Sequence, residues 1–222
     1  MPLVRLHAPF DHPEWIFEAK LDGFRALAYI QGGRCEVVSR KNHVYKSFSR
    51  LCSDIAAGLK IEDAILDGEI VCLGADGLPI FNQLLYHRGT PYFYAFDMLW
   101  LNGSDLRRTA LIERKDALRR IIPPQPFPVI YNSHQDGEGK ALFEAACRID
   151  LEGIVAKWKY GTYTEDEHRT SWVKIKNRAY SQTIGRHEQF TEFRRLVLNR
   201  ASTPSVPRLV GCADVFETDP PA

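Results

Sequence analysis

The sequence is most informative at first through what it leaves out. No apolar run approaches the ~20 residues that a membrane-spanning helix needs, and no cationic-apolar leader opens the chain. Its five cysteines (Cys35, Cys52, Cys72, Cys147, Cys212) are scattered and odd in number, without a C-x-x-C pair. That pattern argues against a disulfide framework and fits reduced thiols in a cytoplasmic protein. Seven histidines form no H-x-x-x-H spacing, which removes the usual zinc signatures. Charge of one sign is missing too: 29 Lys and Arg stand against 28 Asp and Glu, a formal net charge of +1. A protein that grips a duplex unaided ordinarily shows a basic excess. Near-neutrality leaves room only for a local basic groove. There is no internal repeat and no low-complexity tract.

What remains is 222 residues with 45% hydrophobic content, enough for one sizeable domain or two small ones. WIFEAKL reads as a short apolar-alternating strand followed by a turn at Asp22-Gly23. FRALAYI and RCEVVSR flank QGG, a glycine hairpin connection. SFSRLCSDIAAGL has helical spacing, with Ser47 or Ser49 as its N-cap. AILDGEIVCL and PYFYAFDMLWL read as strands, with FNQLLYH a short helix between them. LIERKDALRRII is an amphipathic helix stopped by Pro123-Pro124. FPVIY is a strand and GKALFEAACRI a helix; GIVAKWK and SWVKIK are strands with alternating lysines. A helix over 187–200 and a proline-rich irregular tail follow. Frequent hairpins interrupted irregularly by helices predict an α+β fold of two packed, mainly antiparallel sheets flanked by helices. The expected division is 1–177 for the main domain and 178–222 for a helix and tail.

Five separated stretches share one chemical theme. EAKLDGFR offers the amine of Lys20; LDGEIV and EGIVAKW offer carboxylates and, in the latter, a further lysine. YAFDMLW offers the ring of Phe96. WVKIK places Lys174 and Lys176 two apart, hence on one face of a strand. Glu18 and Lys20 share a face in the same way if their segment is extended. Two same-facing lysines repel unless solvent or an anion lies between them, so the face is either solvated or built for phosphate. Lys20 as a nucleophile must lose a proton held at about 10.4, which costs roughly 4–5 kcal/mol at neutral pH. Neighbouring cations and a bound Mg²⁺ reduce that cost. Glu152, Asp22 or both then serve as metal or water ligands, since Mg²⁺ prefers oxygen donors shared with phosphate. Taken singly, each stretch also has an ordinary reading as turn, core or surface. Their joint order is what carries weight.

In this order the stretches resemble the motifs of the covalent lysyl-nucleotidylate superfamily: ATP-dependent DNA ligases, RNA ligases and capping enzymes. E-x-K-x-D-G-x-R at 18–25 is similar to motif I, LDGEIV at 66–71 to motif III, and FYAFDMLWLNG at 93–103 to the aromatic motif. EGIVAK at 152–157 resembles motif IV and WVKIK at 172–176 motif V, so the likeness runs from about residue 14 to 177. It is closest to the adenylation domain of bacterial ATP-dependent DNA ligases of the end-joining type.

The resemblance implies the nucleotidyltransferase fold, with ATP as the nucleotide and Mg²⁺ or Mn²⁺ as the metal. Lys20 would form the bond to AMP, and Glu18 would help select adenine. Arg25 would contact ribose or a nick phosphate, Glu69 the ribose hydroxyl, and Phe96 would stack on the purine. Glu152, with Asp22, would hold the metal; Lys174 and Lys176 would neutralise phosphates. Arg40 matches the arginine of the family's S-R-N-G stretch, although Lys41-Asn42 stands here in place of Asn-Gly. The implied partner is nicked or broken double-stranded DNA, acted on in the bacterial cytoplasm at the nucleoid, with no membrane. Only 46 residues follow Lys176, whereas a five-stranded OB barrel needs roughly sixty. A complete OB-fold is therefore not expected, and a protein partner supplying OB, polymerase or end-binding functions is. An RNA ligase, a GTP-dependent capping-like enzyme and a non-catalytic nucleotide- or nick-binding module are the alternatives.

Overall fold

The computed structural model describes residues 1–166, 168–183 and Thr191. They fall within, or in the case of Thr191 beyond, a compact unit that runs from Met1 to Ile184. Apart from Thr191, the helix expected over 187–200 lies outside the described residues, as does the tail after it.

Among the described residues, eleven strands and four α-helices form two sheets with helices on their outer sides. β1 (Val4–Leu6), β11 (Trp172–Lys176), β10 (Gly153–Trp158), β2 (Trp15–Ala19) and β9 (His134–Asp136) lie in that spatial order in the first sheet. β4 (Arg34–Ser39), β3 (Phe24–Gln31), β5 (Asp63–Cys72), β6 (Pro91–Leu101) and β7 (Ser104–Asp105) make the second, with β8 (Val129–Tyr131) also paired to β6. Pairing is antiparallel except at β1–β11 and β6–β8, which are parallel. The architecture is the expected mixed fold with two antiparallel-rich sheets.

Alternation along the strands sorts the side chains into three cores. Ala26, Ala28 and Ile30 of β3, Leu66 and Ile70 of β5, and Phe93 and Ala95 of β6 point outward. There they bury Leu51 and Ile55 of α1 (Ser49–Gly58) and Leu118 of α3 (Leu111–Ile121). On the first sheet Phe17, Ile154, Ala156 and Ile175 point outward to α4 (Gly139–Arg148), meeting Ala146, Leu142 and Phe143. The intervening residues face inward, where Ile16, Leu111 and Trp172 pack with Phe96 and Tyr163. The same period of two that fills the cores thus lines up Glu18, Val155, Lys157, Trp172, Lys174 and Lys176 on the inner face.

Three local expectations change. The crossing Lys20–Gly23 does not reverse the chain in place; it carries it from β2 in one sheet to β3 in the other. Gly23 is required there because a Cβ would stand 2.1 Å from the Ile70 carbonyl oxygen. Neither Ser47 nor Ser49 caps α1: a 3₁₀ turn over Lys46–Phe48 runs straight into it, Phe48 takes the cap position, and no side chain bonds there. Finally, α3 is amphipathic in pattern, yet its Arg114 and Lys115 are wholly buried. Arg114 makes a bidentate pair with Asp97 at 2.8 Å to each oxygen. The short strands β1 and β9 have no counterpart in the sequence reading. The short helix α2 (Phe81–Leu85) falls where expected. No helix among the described residues is long and apolar enough to cross a membrane.

Candidate active site

Between the sheets lies a cleft with apolar walls from Leu3, Leu21, Phe96, Val155 and Trp172. Its polar lining is Glu18, Lys20, Arg25, Glu69, Asn132 and Lys157. Six strands supply most of these groups, placed by strand register, while Leu3, Lys20, Leu21 and Asn132 come from segments adjoining strands. Ala19 pairs with Ile154 and Glu18 with Val155, while Val155 pairs with Lys174. On the other sheet Arg25 pairs with Glu69 and Glu69 with Tyr94.

Lys20 sits just beyond β2, its backbone N–H donating to Gly153 O at 2.9 Å. Its amine donates to Glu152, whose other carboxylate oxygen lies 2.9 Å from Lys176 Nζ. Glu152 is buried, whereas the Lys176 side chain is 43% exposed, so the cluster opens toward solvent on the lysine side. Burial lowers the pKa of Lys174, and the charges of Lys176, Lys20 and Arg40 lower it further. The charges of Lys20, Lys176 and Arg40 thus all bear on Lys174, with Glu152 opposing them. Arg40 is exposed and borders an adjoining groove with Arg25, Asp67, Tyr163 and Glu165.

Glu69 stands on the opposite wall. Burial raises its carboxyl to about 7, against the pull of Lys20 and Arg25 and with a smaller push from Glu152 and Asp67. Arg25 is held by Asp67, with Nη2–Oδ2 at 2.7 Å and Nε–Oδ1 at 3.1 Å, and donates to Met1 O at 2.8 Å. Its guanidinium lies 5.4 Å from the centre of the Phe96 ring and 5.6 Å from that of Trp172. Burial pushes Asp67 up, but the Arg25 charge and hydrogen bonds from Arg25 and Tyr163 bring it below the usual carboxylate range.

The cleft floor is a buried ionic network absent from the sequence reading. Glu18 receives the Lys115 amine, has Lys157 Nζ 2.7 Å from Oε2, and accepts Asn132 Nδ2 at 3.1 Å. Burial alone would raise its pKa; the two ammonium groups hold it down. Lys157 is 1% exposed, and its Nζ lies 3.9 Å from the centre of the Trp172 ring and 4.3 Å from that of Phe96. It is close enough to Glu18 for an ion pair but has no aligned hydrogen bond among the described residues. Burial lowers its pKa to about 8, with Glu18 opposing and Lys115 adding to the fall.

Of the residues singled out in the sequence, Glu18, Lys20, Arg25, Glu69 and Phe96 line the cleft. Glu152 and Lys176 join it through Lys20, and Lys174 and Arg40 through their charges. Asp22 is not among the lining residues; it is buried and accepts the Tyr180 hydroxyl at 2.9 Å. Sequence reasoning gave no part to Lys115 or Asn132. Lys157 carried a usable signal, being two residues from Val155 on the same strand face, whereas Lys115 read as a solvated helix charge.

Residues 5–176 match the family model described as the ATP dependent DNA ligase domain. Over 169 residues the chain is 30% identical to the multifunctional non-homologous end joining protein LigD of Pseudomonas aeruginosa, covering 73% of this chain and 20% of that one. With LigD of Mycolicibacterium smegmatis the identity is 32% over 181 residues, covering 76% and 22%. The chain thus spans about a fifth of the length of these relatives. The solved mycobacterial DNA ligase D complexed with ATP and MES superposes with a TM-score of 0.65 at 28% identity, covering 79% of this chain and 60% of that one.

Proposed function

As the chain belongs to the ATP-dependent DNA ligase domain family, we propose that it makes a covalent lysyl-AMP at Lys20 and passes the AMP to the 5′-phosphate of nicked or broken DNA in end-joining repair. The observation that carries this reading is the placing of one amine, Lys20, against Glu152 and within the field of Lys174, Lys176 and Arg40, at the end of an aromatic-walled cleft.

In the first step the Lys20 nitrogen attacks the α-phosphorus of ATP. A P–N bond forms, the P–O bond to pyrophosphate breaks, and the amine releases a proton. In the second, an oxygen of the DNA 5′-phosphate attacks the same phosphorus, the P–N bond breaks, and the amine regains a proton. Lys174, Lys176 and Arg40 supply positive charge where the pyrophosphate leaves, an electrostatic contribution that is strongest in a cleft closed to water. Glu69 accepts the ribose hydroxyl and Arg25 lies beside it. Phe96 stacks on the purine, with Trp172 completing the wall. The unaligned N–H of Lys157 and the carboxylate of Glu18 offer the purine edge a donor and an acceptor side by side.

The donor set fits a hard divalent cation such as Mg²⁺, which binds through one or two carboxylates and substrate phosphates and keeps several waters. Glu152 would hold it, and the cation would neutralise the phosphates. Asp22, the second carboxylate of this reading, lies within the crossing, buried against the Tyr180 hydroxyl and outside the cleft lining, so of the two Glu152 is the one placed at Lys20. The likeness to the multifunctional non-homologous end joining LigD proteins supports DNA ends as substrate and a partner supplying further functions; a cytoplasmic site on the nucleoid belongs to the same reading.

Incubation with α-labelled ATP and Mg²⁺ tests the reading, with labelled GTP and NAD in parallel. Label from ATP that is retained on Lys20 and lost in Lys20→Ala is expected. Bound ATP without any adduct, or an adduct from GTP alone, would contradict it.

A further inference from the structure

No step described above uses Lys115, although burying its charge is costly. The residue is wholly buried and is not among those that line the cleft. Its ammonium donates to the Glu18 carboxylate, to Asn132 O at 3.1 Å and to Phe96 O at 3.3 Å. An ammonium has three N–H donors, so all are committed within the protein and none is left for a ligand. The Tyr131 ring covers it, with its centre 4.5 Å from Nζ.

The three acceptors come from both sheets. Glu18 lies on β2 of the first. Phe96 lies on β6 of the second, and Asn132 follows β8, its own N–H donating to Ala95 O at 2.8 Å. Lys115 thus ties the sheets together beneath the cleft, and Glu18, Phe96 and Asn132 all line that cleft. A buried helix lysine is ordinarily a satisfied structural charge. This one differs in that every group it holds belongs to the ligand's surroundings.

The tie fixes a spacing and a charge. The spacing is that between the Phe96 ring on one sheet and the Glu18 carboxylate on the other. The charge is that of Glu18, which Lys115 and Lys157 keep ionised against burial; an ionised acceptor makes the stronger hydrogen bond. Lys115 donates to Oε1, while Asn132 and Lys157 lie on Oε2. A carboxylate has about four acceptor sites, so capacity remains for one more donor. A flat ring carrying an exocyclic N–H suits an aromatic wall beside a charged acceptor.

We propose that Lys115 is a positioning residue that locks Glu18 to Phe96 and Asn132 and so presets the cleft for a 6-aminopurine. The proposal rests on the ligase reading for ATP as the nucleotide. It assigns the base preference to a side chain that the base does not touch.

The test titrates the 222-residue chain in EDTA, where no adduct forms, with ATP and with purine riboside triphosphate, which lacks the 6-amino group. Lysyl-AMP formation with Mg²⁺ is followed separately. The wild type should bind ATP roughly 10- to 100-fold more tightly than the analogue, the usual worth of a hydrogen bond to a charged group. Lys115→Met should lower that ratio at least ~5-fold. Lys115→Gln, which keeps a neutral N–H donor in the same space, should lower it in the same direction and serves where the methionine variant does not fold. In a Glu18→Gln background either change should alter the ratio less than about 2-fold, because Lys115 acts through Glu18. Arg119→Ala removes the other cation over the Tyr131 ring, 5.7 Å from its centre, and should keep the wild-type ratio. A merely structural role would weaken both nucleotides equally. A ratio unchanged in the folded Lys115 variants, an equal fall in the Glu18→Gln background, or a wild-type ratio near one would overturn the proposal. Absence of lysyl-AMP in the wild-type chain would strike the ligase reading instead, while the binding ratios still decide the part of Lys115.

Discussion

Lys20 and Glu152 meet across 132 positions of sequence, the amine of one donating to the carboxylate of the other. The same carboxylate is shared with Lys176, so one acidic group holds the amines of Lys20 and Lys176 together. Glu152→Gln keeps the shape of this junction and removes its charge. The initial rate of lysyl-AMP formation should fall at least ~30-fold, because the amine is no longer held in an attacking position. Both lysines reach solvent, so the melting temperature should move little. Wild-type labelling by this variant would remove Glu152 from the chemistry.

Glu69 trades stability for its place in the cleft. Its carboxyl is raised to about 7 by burial, above its value in the unfolded chain. The folded state therefore holds its proton more tightly, and that contribution is complete below about 4.5 and lost as pH rises through 7. Glu69→Gln should be more stable than the wild type at pH 8 by about 1–3 kcal/mol, the lower end reflecting the part of Glu69 that remains open to the cleft. The difference should vanish near pH 4. Urea unfolding at the two pH values reads this directly, and a variant less stable at pH 8 would refute the burial argument.

Lys157 gives the opposite sign. Its folded pKa is lowered to about 8 by burial, below its unfolded value of about 10.5. Its contribution is present above the unfolded value and lost as pH falls through 8, so stability should climb between about pH 8 and 10.5. Replacing it in Lys157→Met should remove that climb. The wild-type minus variant difference should grow by up to about 3 kcal/mol across the window. A flat difference would mean that Lys157 is not buried as a charge.

Gly153 adjoins Glu152 at φ 139°, and a Cβ there would stand 2.1 Å from Ile175 O. Its own carbonyl receives the Lys20 N–H. Gly153→Ala should cost about 1–3 kcal/mol through strain and should depress lysyl-AMP formation further than the loss of folded protein explains. Labelling per folded molecule, with the folded fraction taken from circular dichroism, separates the two effects.

Much of this was legible in the sequence, for physical reasons that also explain the omissions. β6 occupies the segment read as PYFYAFDMLWL because its aromatic residues suit a half-buried pleated surface. The QGG connection was plain because Gly32 and Gly33 both take positive φ in the hairpin. β1 and β9, three residues each, are too short to show a period. Charges on a helix normally mark its wet face, so nothing local distinguished Lys115 and Arg114 from their neighbours. They are buried because Glu18 and Asp97, far away in sequence, require them. In the cleft, motif order brought Lys20, Glu69 and Phe96 together, but the Glu18–Lys115–Asn132 floor depends on packing that no single stretch records.

Lys20 belongs to neither sheet: it begins the four-residue crossing that ends at Gly23. An inserted residue in that span would slip one slab against the other and separate the amine from both its acid and its cations. Transplanting Lys20 with its immediate neighbours into another scaffold would carry none of this, since the smallest portable unit is the pair of sheets and the join between them.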